Sequence, residues 1–223
     1  MLPALDDELV RHRIAKRIAL DLEDQSVVNL GIGIPTLVSD YIPLGSNMVL
    51  QTENGVVGAG PIPEEPDLRY IGAGGRALSL IPGSSIVASD FSFGLIRGGH
   101  LDATVLGALE VDEEGNLANW WIPGKLVPGM GGAMDLVTGA KNVYVATAHL
   151  DKKGRPKLVR KCALPLTGVA VVTTIVTEFC VVRRKEGKMI LCEIAPEVTV
   201  DELVANTGMT LSIPSEPIPM LGM

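Results

Sequence analysis

Aromatic residues, cysteines and histidines are scarce in this sequence. Phe, Trp and Tyr make up 4% of the 223 residues, so the core must be aliphatic, as in the Val- and Ile-rich strands of buried parallel sheets. The three cysteines (Cys162, Cys180 and Cys192) are odd in number and too widely spaced for a CxxC motif, which favours reduced thiols over a disulfide scaffold. The three histidines have no zinc-binding spacing, so we predict no metal site.

Basic charge and long apolar runs are also lacking. The net charge of −7 argues against the basic face that a nucleic-acid-binding protein needs. The most apolar region, 164–182, is interrupted by threonines and Glu178, which is typical of two buried strands and not of a membrane span. The first residues, MLPALDDELV, do not have the basic-then-apolar order of a signal peptide. We therefore expect a cytoplasmic protein that binds neither nucleic acid nor membranes.

Aliphatic residues, in contrast, are abundant. Hydrophobic residues make up 47% of the chain and the mean hydropathy is +0.32, more than one core needs, which indicates a subunit interface. We find no internal repeat and no domain boundary, so we predict one domain over 1–223. Its proline-rich tail, 212–223, is expected to be loose or to lie along a partner.

Hydrophobic spacing predicts an α/β fold, with a largely parallel sheet flanked by helices. Helices are expected over 5–22, 91–97 (capped by Ser89 and Asp90), 134–137 and 200–206. Strands are expected over 27–30, 48–50, 77–81 (closed by Pro82 and Gly83), 103–111, 142–147, 169–176, 179–184 and 188–194.

A carboxylate follows the second of these strands, within MVLQTENGVVGAG (48–60). Glu53 stands on a sharp turn, since Asn54 and Gly55 both tolerate positive φ. In open α/β sheets this edge is where ligands bind, although an ordinary polar turn would have the same sequence.

Two glycine-rich segments could supply backbone donors. Gly31 and Gly33 follow the first strand, and Pro35 suits the first turn of a helix, so this junction could hold an anion or could serve close packing alone. The GxGxxG fingerprint of dinucleotide-binding proteins is incomplete, because Thr36 stands at its last position. The loop 119–135 contains both tryptophans, and its N–H groups at 131–134 would suit an oxyanion.

Five ordered motifs resemble the β subunits of family I CoA-transferases, in particular the 3-oxoacid and acetoacetate (or butyrate–acetoacetate) enzymes. The motifs are NLGIGIPT (29–36), ENG (53–55), FSFGLIRGGHLD (91–102), LANWWIPGK (117–125) and GMGGAMDLVTGA (129–140). The resemblance extends from the first helix to about Gly208. One departure is Thr52, where the family motif has Ser before the glutamate, but Thr keeps the hydroxyl.

The resemblance implies a role for each matched residue. Glu53 falls on the catalytic glutamate, and the CoA thioester site is lined by Asn119, Gly132, Ala133 and Met134. Backbone contacts to the thioester oxygen are expected from Gly31, Gly33 and Gly131.

The implied activity is ping-pong transfer of CoA from an acyl-CoA to a short carboxylic or 3-oxo acid, through a Glu53–CoA thioester. Coenzyme A is then a substrate and covalent intermediate, with no permanently bound cofactor. The family requires two related halves, so we expect an α subunit, self-association and an α2β2 assembly. Two alternatives stay open: an acyl-CoA thioester hydrolase on the same scaffold, and a non-catalytic ligand-binding module. The sequence does not identify the acid pair.

Overall fold

The computed structural model describes residues 2–43, 45–124, 129–213 and 217–222. Its helices are α1 (Asp7–Ala19), α2 (Ile34–Leu37), α3 (Ser89–Arg97), α4 (Ala133–Gly139) and α5 (Val200–Ala205), with a 3-10 helix at Val38–Tyr41. Its strands are β1 (Val27–Leu30), β2 (Val49–Gln51), β3 (Val56–Gly60), β4 (Ser79–Ile86), β5 (Ala103–Leu106), β6 (Glu110–Asp112), β7 (Leu117–Ala118), β8 (Asn142–Ala146), β9 (Leu158–Val159), β10 (Thr174–Val176), β11 (Cys180–Lys185), β12 (Lys188–Ile194) and β13 (Ile218–Pro219).

The main sheet of the described chain has ten strands in the order β13-β12-β11-β10-β8-β5-β1-β2-β3-β4. Its central strands, from β10 to β2, run parallel, and antiparallel hairpins extend it on both sides. The predicted α/β fold with a largely parallel sheet is therefore confirmed. Because β1 lies between β2 and β5, the strand order reverses there, and such a reversal opens a ligand crevice at the carboxyl ends of the strands.

Helices cover both faces of this sheet. Residues of β8 alternate between two apolar clusters: Tyr144 packs with Ile14 of α1 on one face, and Val145 packs with Ile96 of α3 and Leu136 of α4 on the other. All four residues of β5 are buried, as expected of a strand covered on both sides. Within the described ranges, none of the helices combines the length and apolarity needed to cross a bilayer.

The first helix is shorter than predicted: it begins at Asp7 instead of Leu5, and Leu9 of its expected apolar face is exposed. The Asp6 side chain caps α1 by accepting the backbone N–H of Glu8 at 2.9 Å, and the helix ends at Ala19 instead of continuing to residue 22. One charged residue does not lie on the solvent face as predicted. Arg17 is 2% exposed, and its Nε donates to Glu193 of β12 at 2.7 Å. A sequence pattern cannot identify such a residue, because its partner lies far along the chain.

The predicted strand over 103–111 is wrong. The structure divides it between β5 of the main sheet and β6 of a separate three-stranded sheet, ordered β7-β6-β9. The carbonyls in between are bound by side chains and not by neighbouring strands: Asn119 Nδ2 donates to Gly107 O, and Lys157 Nζ donates to Ala108 O, both at 3.2 Å. Those bonds take the place of a continuous ladder.

Proline and glycine do not end the strand predicted over 77–81. Instead β4 continues through Pro82 and Gly83 to Ile86. It is the edge strand, so a residue without an N–H is tolerated, and its pairing with β3 shifts register between Val57 and Ala59. The short helix α3 begins two residues earlier than predicted, at Ser89, with Ala88 as its N-cap.

The strand predicted over 169–176 is restricted to β10. Its first half turns instead: Ala170 has a positive φ of 55°, and its N–H donates to Asn116 Oδ1 at 2.9 Å.

The tail prediction was also wrong in part. Residues 214–216 and 223 lie outside the described range, but β13 pairs in parallel with β12 of this same chain, and Met220 is buried. The described part of the tail is therefore neither loose nor reserved for a partner.

Candidate active site

Glu53 lies on a tight turn between β2 and β3, at the carboxyl end of the parallel strands. Thr52 closes the turn with its backbone, donating to Val56 O at 2.8 Å, and with its hydroxyl, which accepts the Val56 N–H at 3.0 Å. Gly55 has a φ of 117°, and a Cβ there would overlap the carbonyl oxygen of Val87, so only glycine fits. Asn54 Nδ2 donates to Ile71 O at 2.7 Å and ties the turn to the next loop.

The glycines that precede α4 lie against the Glu53 carboxylate. The backbone of Gly132 comes so close to this carboxylate that its N–H lowers the pKa of Glu53. A Cβ at Gly132 would overlap Glu53 Oε2 and would lie 2.9 Å from the ring of Phe93, and one at Gly131 would lie 3.7 Å from Oε1. The absence of side chains here is what allows the backbone to approach the carboxylate.

The pKa of Glu53 is raised above its ordinary value. Burial of this half-buried side chain is the main cause, and the nearby charge of Asp135 adds to it, while the Gly132 N–H lowers the pKa. Arg97 Nε donates to the Asp135 carboxylate at 2.7 Å. The site therefore contains a carboxylate that is partly removed from water and has a backbone donor on one side.

A buried chain of hydrogen-bonded polar side chains supports the turn that carries Glu53. Asn29 Nδ2 of β1 donates to Gln51 Oε1 at 2.8 Å, and Gln51 Nε2 donates to Ser92 Oγ of α3 at 2.7 Å. Gln51 Nε2 and Ser92 Oγ both reach Thr52 O, at 2.9 and 3.1 Å. Sequence reasoning missed this chain; the signal that could have found it is one polar residue inside a predicted buried strand (Asn29) and another directly after the next strand (Gln51).

Asn119 is held by protein contacts at the edge of the same crevice. Besides its bond to Gly107 O, its Oδ1 accepts the Thr167 hydroxyl at 2.6 Å. Trp120 Nε1 donates to Leu166 O at 3.3 Å, which fixes the adjoining loop. Residues 125–128 of that predicted loop lie outside the described part of the chain.

These groups line one cleft of about 860 Å³, within the size range of ligand pockets. Seven of the predicted site residues line this cleft: Gly31, Gly33, Glu53, Asn119, Gly131, Gly132 and Ala133. Met134, the eighth, does not. Met134 lies in the first turn of α4, where its carbonyl accepts the Thr138 hydroxyl at 2.8 Å. Among the described residues, no group of three or more His, Cys, Asp or Glu side chains is placed to hold a metal ion.

The two glycines after β1 have different roles. The Gly31 N–H donates to Val105 O at 2.8 Å, and a Cβ would lie 3.0 Å from that oxygen, so Gly31 serves close packing and its N–H is engaged. The expected oxyanion contact from the Gly31 N–H is therefore not available in this structure. Gly33 is the N-cap of α2, with a φ of 92°.

Two charged residues of the cleft were not predicted. Arg11 of α1 and Arg76 of the loop between β3 and β4 both line the cleft, and neither forms an ion pair with any residue in the described ranges. They give the cleft positive charge that an acidic substrate would meet.

Comparison with known proteins agrees with this architecture. Residues 11–206 match the family described as Coenzyme A transferase. The chain is 49% identical over 207 residues to the acetate CoA-transferase subunit beta of Escherichia coli strain K12, covering 92% of this chain and 95% of that protein. It is 45% identical over 220 residues to the human mitochondrial succinyl-CoA:3-ketoacid coenzyme A transferase 2, covering 96% of this chain but 42% of that protein.

The fold is also found in a solved structure. The apoenzyme of the acyl-CoA transferase YdiF from Escherichia coli O157:H7 superposes with a TM-score of 0.77 at 22% identity, over 98% of this chain and 44% of that one. This chain thus spans less than half of that polypeptide. Both the matched family and the extent of the identity lead to one conclusion: the chain belongs to the coenzyme A transferase family.

Proposed function

We propose that this chain is the β-type subunit of a CoA-transferase that carries CoA on Glu53 between an acyl-CoA and a short carboxylic or 3-oxo acid. The observation that carries the proposal is the placement of the Glu53 carboxylate, half-buried in the cleft and in contact with the Gly132 N–H. The names of the relatives support the substrate class, since they specify acetate in one case and succinyl-CoA with a 3-ketoacid in another.

A carboxylate nucleophile suits a transfer that must conserve the thioester. A Glu53 oxygen attacks the thioester carbonyl, the C–S bond breaks, and a mixed anhydride and the CoA thiolate form. The thiolate then attacks the glutamyl carbonyl, which releases the first acid and leaves CoA on Glu53 as a thioester. The second acid attacks that thioester, and the same two steps in reverse order yield the new acyl-CoA and the free carboxylate.

The surrounding residues provide what these steps need. Each attack develops negative charge on a carbonyl oxygen, and one preorganised donor at such a position contributes about 3–4 kcal/mol. The Gly132 N–H supports the ionised form of Glu53, and the neighbouring N–H of Gly131 is the candidate donor for the oxyanion, because the Ala133 N–H donates to Met130 O at 3.2 Å. Partial burial raises the pKa of Glu53 but makes its carboxylate a stronger nucleophile than one in water.

We propose an α subunit as the partner, because the E. coli relative is named as a subunit beta. Exposed apolar side chains at the cleft agree with this: Ile32 is 73% exposed and Ile62 is 51% exposed, and both line it. An α2β2 assembly would cover them. Full transferase activity of this chain purified alone would contradict the need for a partner.

The decisive experiment traps the intermediate. The reconstituted αβ complex is incubated with acetoacetyl-CoA without an acceptor acid, reduced with borohydride and mapped by peptide mass. We expect modification of Glu53 in the wild type and none in Glu53→Gln. Modification of another residue would overturn the assignment.

Acceptor dependence separates the transferase from a hydrolase. Without an acceptor acid we expect acetoacetate to be released up to one equivalent per site and no free CoA to accumulate, and we expect acetyl-CoA to form when acetate is added. Continuous CoA release that is independent of acetate would favour the hydrolase. The lack of any trapped thioester would favour a non-catalytic binding module.

A further inference from the structure

Consecutive residues of α3 contact the two halves of the candidate site. Ser92 is fully buried and donates to the carbonyl of Thr52, the residue immediately before Glu53, at 3.1 Å. The same hydroxyl accepts Gln51 Nε2, so this one side chain anchors the end of β2. The amino-terminal half of α3 thus holds the nucleophile's turn.

The next residue of α3 faces the other half. The ring of Phe93 lies against Gly132, within 2.9 Å of where a Cβ would stand. Arg97, one turn further along, lies over that ring at 5.4 Å and pairs with Asp135 of α4 at 2.7 Å. These contacts mean that α3 also holds the backbone of Gly132 in position.

Close backbone packing makes the connection between α3 and α4 stiff. A Cβ at Gly139 would overlap the carbonyl oxygen of Ile96, so the two helices approach as closely as a glycine allows. On the other side, Asn29 extends the Ser92–Gln51 contact to β1 in the middle of the sheet. In an interior packed this closely, a displacement of one residue is transmitted to its neighbours.

We propose that α3 bridges the nucleophile and its donor and sets their separation, with Ser92 and Phe93 as positioning residues for the CoA-transfer reaction. The proposal rests on the proposed function, since it assigns a role to the approach of Gly132 to Glu53. Neither residue touches the reacting atoms; each acts through the backbone it holds.

The test measures the first half-reaction of the αβ complex, the formation of the Glu53 thioester from acetoacetyl-CoA, across a range of pH. Ser92→Ala removes the hydroxyl that anchors Thr52. A displacement of about 1 Å costs on the order of 100-fold, so we expect the rate to fall by about 10- to 100-fold with the KM for acetoacetyl-CoA changed less than about twofold. The acid limb of the rate profile should move to higher pH, because the Gly132 N–H lowers the pKa of Glu53 and its loss raises that pKa.

Two further variants and a matched control accompany it. Ser89→Ala makes the same chemical change on the exposed first residue of α3 and should leave rate and profile unchanged. Ser92→Thr keeps the hydroxyl and should recover most of the rate. Phe93→Leu loosens the packing around Gly132 and should move the acid limb of the rate profile to higher pH, as Ser92→Ala does.

The outcomes are distinguishable. If the wild type forms the thioester and folded Ser92→Ala forms it at the wild-type rate and pH dependence, the bridge is refuted while the proposed function stands. An equal loss in Ser89→Ala, or a shift of the acid limb in neither Ser92→Ala nor Phe93→Leu, also refutes it. If the wild type itself forms no thioester on Glu53, the proposed function fails, and the bridge with it.

Discussion

The backbone of Gly132 lies against the carboxylate of Glu53, so closely that any side chain at position 132 would overlap that carboxylate. The two residues belong to different loops, one after β2 and one before α4, and they meet only because α3 and α4 pack together. Their contact is the most direct point at which the fold and the proposed chemistry can be tested.

Gly132→Ala should abolish most of the activity without unfolding the protein. The backbone at Gly132 (φ −84°, ψ 7°) suits alanine, so the penalty comes from the clash with Glu53 and not from strain. We expect a loss of about 100-fold or more in kcat. The matched control is Gly94→Ala in α3, where a Cβ meets nothing within 4 Å; it should keep full activity and raise stability by about 0.5–1 kcal/mol. Equal activities of the two variants would contradict the assignment.

Replacing the nucleophile should separate activity from stability. Glu53→Gln and Glu53→Ala should lose on the order of 10⁴-fold or more in exchange, as removal of a covalent nucleophile does.

The pH dependence of stability follows from the raised pKa of Glu53. The folded state favours the protonated form, so the stability that this group contributes is present below its ordinary pKa and is lost as the pH rises through the raised one. Glu53→Gln has no such loss. Thermal unfolding at pH 4 and pH 8 should therefore show a higher Tm for Glu53→Gln than for the wild type at pH 8, with the gap closing at pH 4. A gap that widens towards acid would show that the pKa is lowered instead.

Asn119 should affect turnover more than stability. Its side chain joins Gly107 O and Thr167 at the edge of the cleft, and Asn119→Ala removes both bonds at a cost of about 1 kcal/mol each. We expect kcat/KM for acyl-CoA to fall by about 10-fold in a folded protein. Asn142→Ala is the control: it removes an exposed side-chain bond to Asp102 O, away from the cleft, and should leave kinetics unchanged. Wild-type kinetics for Asn119→Ala would assign Asn119 a structural role only.

The buried ion pair of Arg17 and Glu193 should dominate the stability of the sheet's far edge. Removing one partner leaves an unpaired buried charge, so Arg17→Met should cost about 3–5 kcal/mol in urea unfolding. Lys141→Met breaks an exposed pair with Asp102 and should cost less than about 1 kcal/mol. Because Leu221 N also donates to Glu193, at 3.2 Å, proteolysis near β13 should accelerate in Arg17→Met alone. Similar unfolding curves for both variants would rule out a special role for the buried pair.

Local patterns in the sequence predicted the local features of this protein. An apolar strand and an Asn-Gly pair predict that Glu53 stands on a turn, although only the family resemblance gives it a role, and β12 has its predicted bounds. The strand predicted to end at Pro82 shows where such a pattern fails. Proline is compatible with β4 only because β4 lies at the edge of the sheet.

Contacts between distant segments could not be predicted in this way. Polar residues such as Gln51 and Ser92 have the same sequence signature whether they face water or one another, and only the packing of α3 on the end of β2 decides between the two. The same is true of Arg17, whose partner comes from β12. The family resemblance supplied the residues of the cleft, but it did not supply the contacts that hold them.

The order of the main sheet also determines how it can be assembled. Outward from β1, strands follow in chain order on both sides, β2 to β4 in one direction and β5, β8 and β10 to β13 in the other. Each strand thus joins an existing edge as it leaves the ribosome, and none must be inserted between paired neighbours. During synthesis the Glu53 turn is complete before α4 exists, so the half-built chain exposes this carboxylate without the Gly132 backbone that lies against it in the finished fold.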